Sequence, residues 1–435
     1  MNKLLNDNSR CNVKGLFSVS PMLFFILLFI FIFLLTGNIY KISLSVVFTI
    51  SSVYALYTLK NRSITERIKV FSRGAGQENL MLMLWIFVLA GAFAQTAKDI
   101  GAIDAVVRVA LHFLPSHLIL AGLFVTACFV SLSIGTSVGT VAALVPIATG
   151  IATSTGQPTA MLVAAVVGGA FFGDNLSFIS DTTIASTKTQ GCELKDKFKA
   201  NFLIVLPAAI ITVIIYIFTN SQSQYSTEIT AIDYIKMLPY IIILVSAICG
   251  MNVFVVLAVG NLLSGITGMA LGVCNMEDWF VSAGNGIMSM GELIIISMLA
   301  GGMLEVIREN GGIEYIINKL SSHIHSKRGG ELIIGAMVGI TNLCTANNTI
   351  AILSVGKIAK SISTRFGINP CKAASILDTF SCVVQGLIPY GAQFLIASGL
   401  SHVQPTNILP YIYYPVIVGI TAIIGIIIRY PKKYS

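Results

Sequence analysis

Between Phe171 and Thr183 the chain reads FFGDNLSFISDTT, which places Asp174, Asn175, Ser177, Ser180, Asp181 and Thr182 inside an apolar stretch of membrane-spanning length. A charged side chain at the bilayer centre costs about 3 kcal/mol even on insertion-based scales, so carboxylates there face a protein-lined or wet cavity and mark an ion or substrate path. Met161–Gly169 before the stretch and Ile184–Ser186 after it are helix-compatible and leave little room for an excursion into water. Two more interruptions offer similar chemistry. Ser133–Thr140 (SIGTSVGT) combines glycines, which loosen the backbone, with the hydroxyls of Thr136 and Ser137; Asn342–Thr349 (NLCTANNT) offers Thr345, Asn347 and Asn348. Hard cations take oxygen from carboxylates, carbonyls and hydroxyls, and carbonyls freed from a helix are tolerated at depth where they line a cavity. Asp378, Thr379 and Gln393 lie in a further apolar run, where Asp378 is either a functional carboxylate or the acceptor of an interhelical hydrogen bond.

Other chemistries find no residues to carry them. GxSxG, HExxH, P-loop and dinucleotide-binding patterns are absent, so the chain is not read as an enzyme. His112, His117, His323, His325 and His402 fall at segment edges without metal-ligand spacing, and the eight cysteines, scattered without a CxxC pair, read as small apolar packing residues. Glu292 and Glu305, near the ends of one apolar segment, are expected to reach interfacial water.

These groups need elements to hold them. The 435 residues are 55% hydrophobic and 11% charged, with a mean hydropathy of +0.85, which describes an all-α polytopic membrane protein. The polar connections Leu59–Gln77 and Ser221–Asp233 are too short to fold alone. An internal repeat, offset by 210 residues, aligns GAFAQTAKDIGAID from Gly91 with GGMLEVIRENGGIE from Gly301. It continues from Gly135–Thr140 to Thr345–Thr349, from Pro158 to Pro370, and from Asp174–Asp181 to Gly386–Gln393. Repeats with polar interruptions at corresponding places mark secondary transporters.

The division follows: a cytoplasmic tail (1–20), a first repeat (21–219), an external linker (220–238), a second repeat (239–429) and a cytoplasmic tail (430–435). If each long apolar–polar–apolar unit is a re-entrant hairpin, each half crosses the bilayer five times and the halves are inverted. Most lysines and arginines, among them Lys195, Lys197, Lys199, Lys327, Lys360 and Lys372, then lie on the cytoplasmic side, against Lys41, Lys98, Arg108 and Lys236 outside. That bias sets orientation, and it explains the net charge of +8 without nucleic acid.

At Gly135–Thr140 (GTSVGT) and Phe172–Thr183 (FGDNLSFISDTT) the chain resembles the NhaC-type sodium/proton antiporters of the ion-transporter superfamily, although many relatives carry proline where this chain has Phe178. The resemblance implies inverted repeats, hairpin tips meeting broken helices at the midplane, and an elevator-like motion. It implies exchange of sodium for protons across the cytoplasmic (inner) membrane, with sodium held by Asp174, Asn175, Ser177, Asp181, Thr182, Thr136 and Ser137. Ser180 joins this set; Thr345, Asn347, Asn348, Asp378, Thr379 and Gln393 form a second-half site. The alternative is sodium-coupled transport of a small organic or amino acid, with Asn347 and Asn348 on the anion. Sodium ions, protons and the lipid bilayer are the expected partners, a second copy of the chain is one further candidate, and no cofactor beyond the ions is expected.

Overall fold

The computed structural model of this chain describes residues 2–36, 44–60, 62–113, 115–178, 180–219, 234–249, 251–321 and 326–434. Positions 220–233 of the expected linker, Lys41, His323 and His325 lie outside them. The first half runs α1 (Asn2–Thr36), α2 (Leu44–Thr58), α3 (Ile64–Ala75), α4 (Glu78–Asp99), α5 (Ala102–Phe113), the hairpin arms α6 (Ile119–Ile134) and α7 (Ser137–Thr155), the broken pair α8 (Thr159–Leu176) and α9 (Asp181–Gln190), and α10 (Leu194–Thr219). The second half repeats this order: α11 (Leu238–Ile248), α12 (Val253–Ala270), α13 (Met276–Ser289), α14 (Gly291–Glu309), α15 (Gly312–Ser321), hairpin arms α16 (Lys327–Thr345) and α17 (Asn348–Phe366), broken pair α18 (Pro370–Gln385) and α19 (Ala392–Ser401), a short α20 (Pro405–Ile408) and α21 (Tyr413–Ile427). No strand occurs among the described residues. By length and apolar composition six helical segments among the described residues are able to cross a membrane, or seven with the bent pair Pro405–Tyr411 and Tyr413–Ile427.

Two elements depart from the sequence reading. Within the polar connection Leu59–Gln77, Ile64–Ala75 is a helix, started by a capping box in which Glu66 N–H donates to Ser63 Oγ (3.3 Å) and Ser63 N–H to Glu66 Oε2 (2.8 Å). It reads as polar because one face meets water, while Val70, Gly74 and Ala75 are buried. A second capping box, from Asn275 and Asp278, starts α13. The expected tail 1–20 is helical from Asn2 and continuous with the first apolar helix.

The helices pair across the halves. α3 packs on α14 as α13 packs on α4, and α2 lies on α14 as α12 lies on α4. Glycines let these backbones meet: a Cβ on Gly74 would stand 2.4 Å from the Gly301 carbonyl oxygen, and one on Gly286 2.2 Å from that of Gly91. Small residues at crossings allow close van der Waals packing where the hydrophobic effect gives no preference between lipid and protein. Around this frame the hairpins and broken helices interlock. α6 packs on α8 and α16 on α18 within their own halves, whereas α9 lies on α17 and α19 on α7 across them. Each hairpin is thus held by the broken helices of both halves.

Candidate functional site: a cavity between two hairpin tips and two helix breaks

The first tip turns at Gly135, whose φ of +76° favours a residue without a Cβ, and Thr136 is extended ahead of α7. The second turns at Ala346 with φ +49°; Asn347 then caps α17, its Oδ1 accepting from Ile350 N–H at 3.0 Å. The break between α8 and α9 begins where Ser177 N–H returns to the Gly173 carbonyl at 2.7 Å. Gly173 admits no side chain, because a Cβ would lie 2.1 Å from Ser131 Oγ.

Tips and breaks converge on a cavity of about 130 Å³. The first half lines it with Thr136, Ser137, Asp174, Ser180, Asp181 and Thr182; the second contributes Asn347, Asn348, Gln385 and Gln393, and the α4 residues Leu82, Met83 and Ile86 close one wall. Asp174 is only 4% exposed, its carboxylate accepting from Ser137 N–H (3.0 Å) and Ser137 Oγ (2.5 Å). Two such donors fix the orientation of the carboxylate at the cavity wall. Asp181, at the first turn of α9, is exposed at the cavity. A chain of amides joins the halves: Gln393 Nε2 donates to Ser137 Oγ (2.8 Å), Gln385 Nε2 to Gln393 Oε1 (3.0 Å) and also to the Ala346 carbonyl (3.0 Å). Asp174 is thereby connected to the opposite hairpin tip.

The remaining candidates lie elsewhere. Asn175 is buried with Nδ2 on the Phe171 carbonyl (3.1 Å), Ser177 is buried at the break, and Thr345 Oγ1 donates to the Asn347 carbonyl (3.0 Å) within the second tip. Asp378 and Thr379 sit behind the cavity wall, around Asn201 and Lys197. Phe178 is half exposed and stacks on Phe198, with ring centroids 4.7 Å apart.

Three charged side chains are not where the sequence reading puts them. Lys197, expected among the solvated cytoplasmic lysines, is wholly buried and paired with Asp378. α10 starts at Leu194, eight residues before the apolar run at Phe202, and so carries Lys197 and Asn201 inward on one face with Ala200, Ile204 and Val205. Their i, i+4 spacing in register with that apolar stripe is the signal that could have found them. Lys372 is likewise buried, its Nζ donating to the Tyr430 carbonyl at 2.5 Å. Glu305 does not reach interfacial water: it accepts from Arg73 Nε (3.0 Å) and Gln77 Nε2 (3.2 Å), because α3 folds over it.

Apolar helices that turn two hairpins and two broken helices inward onto one polar cavity define a multi-spanning membrane transporter. The chain belongs to the Na+/H+ antiporter family, whose model matches residues 12–221 and 223–428. It is 25% identical over 398 residues to the Na(+)/H(+) antiporter NhaC of Bacillus subtilis, covering 82% of this chain and 85% of that one. NhaC of Alkalihalophilus pseudofirmus is 26% identical over 292 residues, covering 59% of this chain and 62% of that protein. The malate-2H(+)/Na(+)-lactate antiporter of Bacillus subtilis is 18% identical over 385 residues, covering 80% of this chain and 82% of its own. Among solved structures, the Alcanivorax borkumensis YdaH transporter aligns with a TM-score of 0.44 and 12% identity over 89% of this chain and 99% of that one.

Ser137 is the residue through which the second half reaches Asp174. Removing its hydroxyl in Ser137→Ala deletes a charge-assisted hydrogen bond, about 2 kcal/mol, and the half-saturating sodium concentration for transport is expected to rise about thirtyfold. Ser137→Thr should restore most of it. An unchanged sodium requirement in the alanine variant would remove Ser137 from the site.

Proposed function

We propose that this protein exchanges sodium for protons across the cytoplasmic membrane, and that the two ions compete for Asp174 and Asp181. The observation that carries this reading is a buried carboxylate, fixed by two hydrogen bonds, at the wall of a cavity lined by hydroxyls and amides. Oxygens of Asp174, Asp181, Ser137, Thr136 and Thr182 supply the ligand set that sodium takes. When sodium leaves to one side, two like charges share a site poor in water, and a proton taken up from that same side relieves their repulsion. The site holding one sodium or one proton crosses more easily than the doubly charged empty site, which couples the two movements.

The halves are read as inverted repeats with both termini in the cytoplasm. The reciprocal pairing of α3 with α14 and α13 with α4, and of each hairpin with the other half's broken helix, supports a two-fold relation between them. The symmetry is imperfect at one seam: α7 packs on α4 and α5, while its counterpart α17 makes no comparable contact with α14 or α15. An elevator-like motion would exchange these two arrangements, sliding hairpins and broken helices against the frame of α1–α5 and α11–α15.

A second reading is sodium-coupled transport of a small carboxylate, favoured by Asn347 and Asn348 lining the same cavity as Asp174. The two readings separate in inverted membrane vesicles. Under competition, the apparent sodium affinity weakens about tenfold per unit fall in pH below the site's pKa, equivalent to about 1.4 kcal/mol per unit. A sodium affinity flat from about pH 6 to pH 9, a window that brackets carboxylates perturbed by burial, together with a requirement for an added organic acid, would overturn exchange. It would transfer Asn347 and Asn348 to the substrate.

A further inference from the structure

The most heavily bonded ionic group in the core lies outside the cavity. Lys197 Nζ donates to the Asn175 carbonyl (2.8 Å), to Thr183 Oγ1 (2.7 Å) and to the Asp378 carboxylate. Asn201, one turn further along α10, donates to the same Asn175 carbonyl (2.9 Å) and to Asp378 Oδ2 (3.0 Å), while its own Oδ1 accepts from Ser375. Lys197 and Asp378 are both fully buried. One ammonium thus ties together α8, α9, α10 and α18.

We propose that Lys197 is a positioning residue for the ion site: a tethered ammonium that fixes the break after α8 and, balanced by Asp378, sets the electrostatic potential at Asp174. This rests on the reading of Asp174 as the exchanging carboxylate. The Asn175 carbonyl belongs to the last turn of α8, where carbonyls have no helical donor and the helix end is negative; a cation there satisfies both. Thr183, which accepts from Lys197, in turn donates to the Asp174 carbonyl at 3.3 Å, so the ammonium stands one hydroxyl away from the backbone that carries the site. Asp378 is then the counter-ion of Lys197 and not a ligand of the transported ion. Aligning Pro158 with Pro370 places Val166 opposite Asp378, so the device exists in one half alone.

The titratable groups on the elements packed against α8 are Cys128 on α6, Asp181 and Lys188 on α9, Lys195, Asp196, Lys197, Lys199 and Tyr216 on α10, Cys371, Lys372, Asp378 and Cys382 on α18, Tyr411 before α21, and Tyr413 and Tyr414 on α21. Among them Lys197 and Asp378 form a fully buried ion pair, the part that two substitutions can unbalance in opposite senses.

Lys197→Met leaves an uncompensated carboxylate near Asp174, which makes a second negative charge harder to form; Asp378→Asn leaves an uncompensated ammonium, which makes it easier. The midpoint of the pH profile of sodium-driven proton movement in vesicles is therefore expected to move about one unit alkaline in the first and about one unit acid in the second. The double variant should return to the wild-type midpoint while requiring more sodium, because the Asn175 carbonyl is no longer tethered. Shifts in the same direction, or unmoved midpoints with lowered rates, would leave the pair as packing and overturn the proposal. If a single variant does not reach the membrane, Lys197→Arg replaces it: a retained cation predicts the wild-type midpoint, and a displaced one overturns the proposal. Absence of sodium-driven proton movement in the wild type would sink the exchange reading itself, a separate result.

Discussion

Asp174→Asn is expected to lose sodium-driven proton movement by about a hundredfold or more while inserting and melting like the wild type. The amide matches the carboxylate in volume and can still accept from Ser137 N–H, so the packing around α8 survives. What disappears is the charge that attracts sodium and the group that takes the proton. Removing a charged hydrogen-bonding partner costs about 3 kcal/mol, and losing the titrating function removes the coupling itself. Asp181→Asn should behave alike and also melt like the wild type, because Asp181 is exposed at the cavity. The measurement is sodium-induced pH change in vesicles of matched protein content. Near-normal exchange in both variants would refute the roles given to these carboxylates.

Gly286→Ala should prevent assembly of the frame, whereas Gly284→Ala, two residues away on the same helix, should be silent. A Cβ at 286 would lie 2.2 Å from the Gly91 carbonyl oxygen and 2.9 Å from Ala92 Cα, both backbone atoms, so no rotamer relieves the overlap. At 284 nothing lies within 4 Å. Separating α13 from α4 also strains the linked crossing of α3 and α14, and the expected cost is about 3 kcal/mol or more, at the upper end for overpacked sites. Thermal unfolding of detergent-purified protein and the yield of monodisperse material report it. Equal behaviour of the two variants would mean that the crossing is loose in solution.

The main helices were legible because hydropathy and period are properties of segments. The hairpin tips fall at Gly135–Thr136 and Ala346–Asn347, inside the polar strings Ser133–Thr140 and Asn342–Thr349 that marked them. α3 was hidden for a related reason: a helix with one polar, exposed face averages to a polar segment, and a capping box such as Ser63–Glu66 is a short signal inside it.

By itself the sequence determined that this is a membrane protein of two similar halves whose few intramembrane polar residues must share a function. Carboxylates and freed carbonyls are too costly in lipid to be scattered at random, and that argument needs only one segment at a time. Tertiary structure alone decided which polar residues meet. Gln393 reaches Ser137 across 256 positions, and Lys197 finds Asp378 across 181, so no local pattern contains either contact. The fate of a lysine shows the difference. Hydropathy assigns it to water because an unpaired ammonium is expensive to bury, but the sign of that cost reverses when a distant helix brings a carboxylate, a hydroxyl and a free carbonyl to the same point. Sequence sets the penalty; only the fold says whether it is offset.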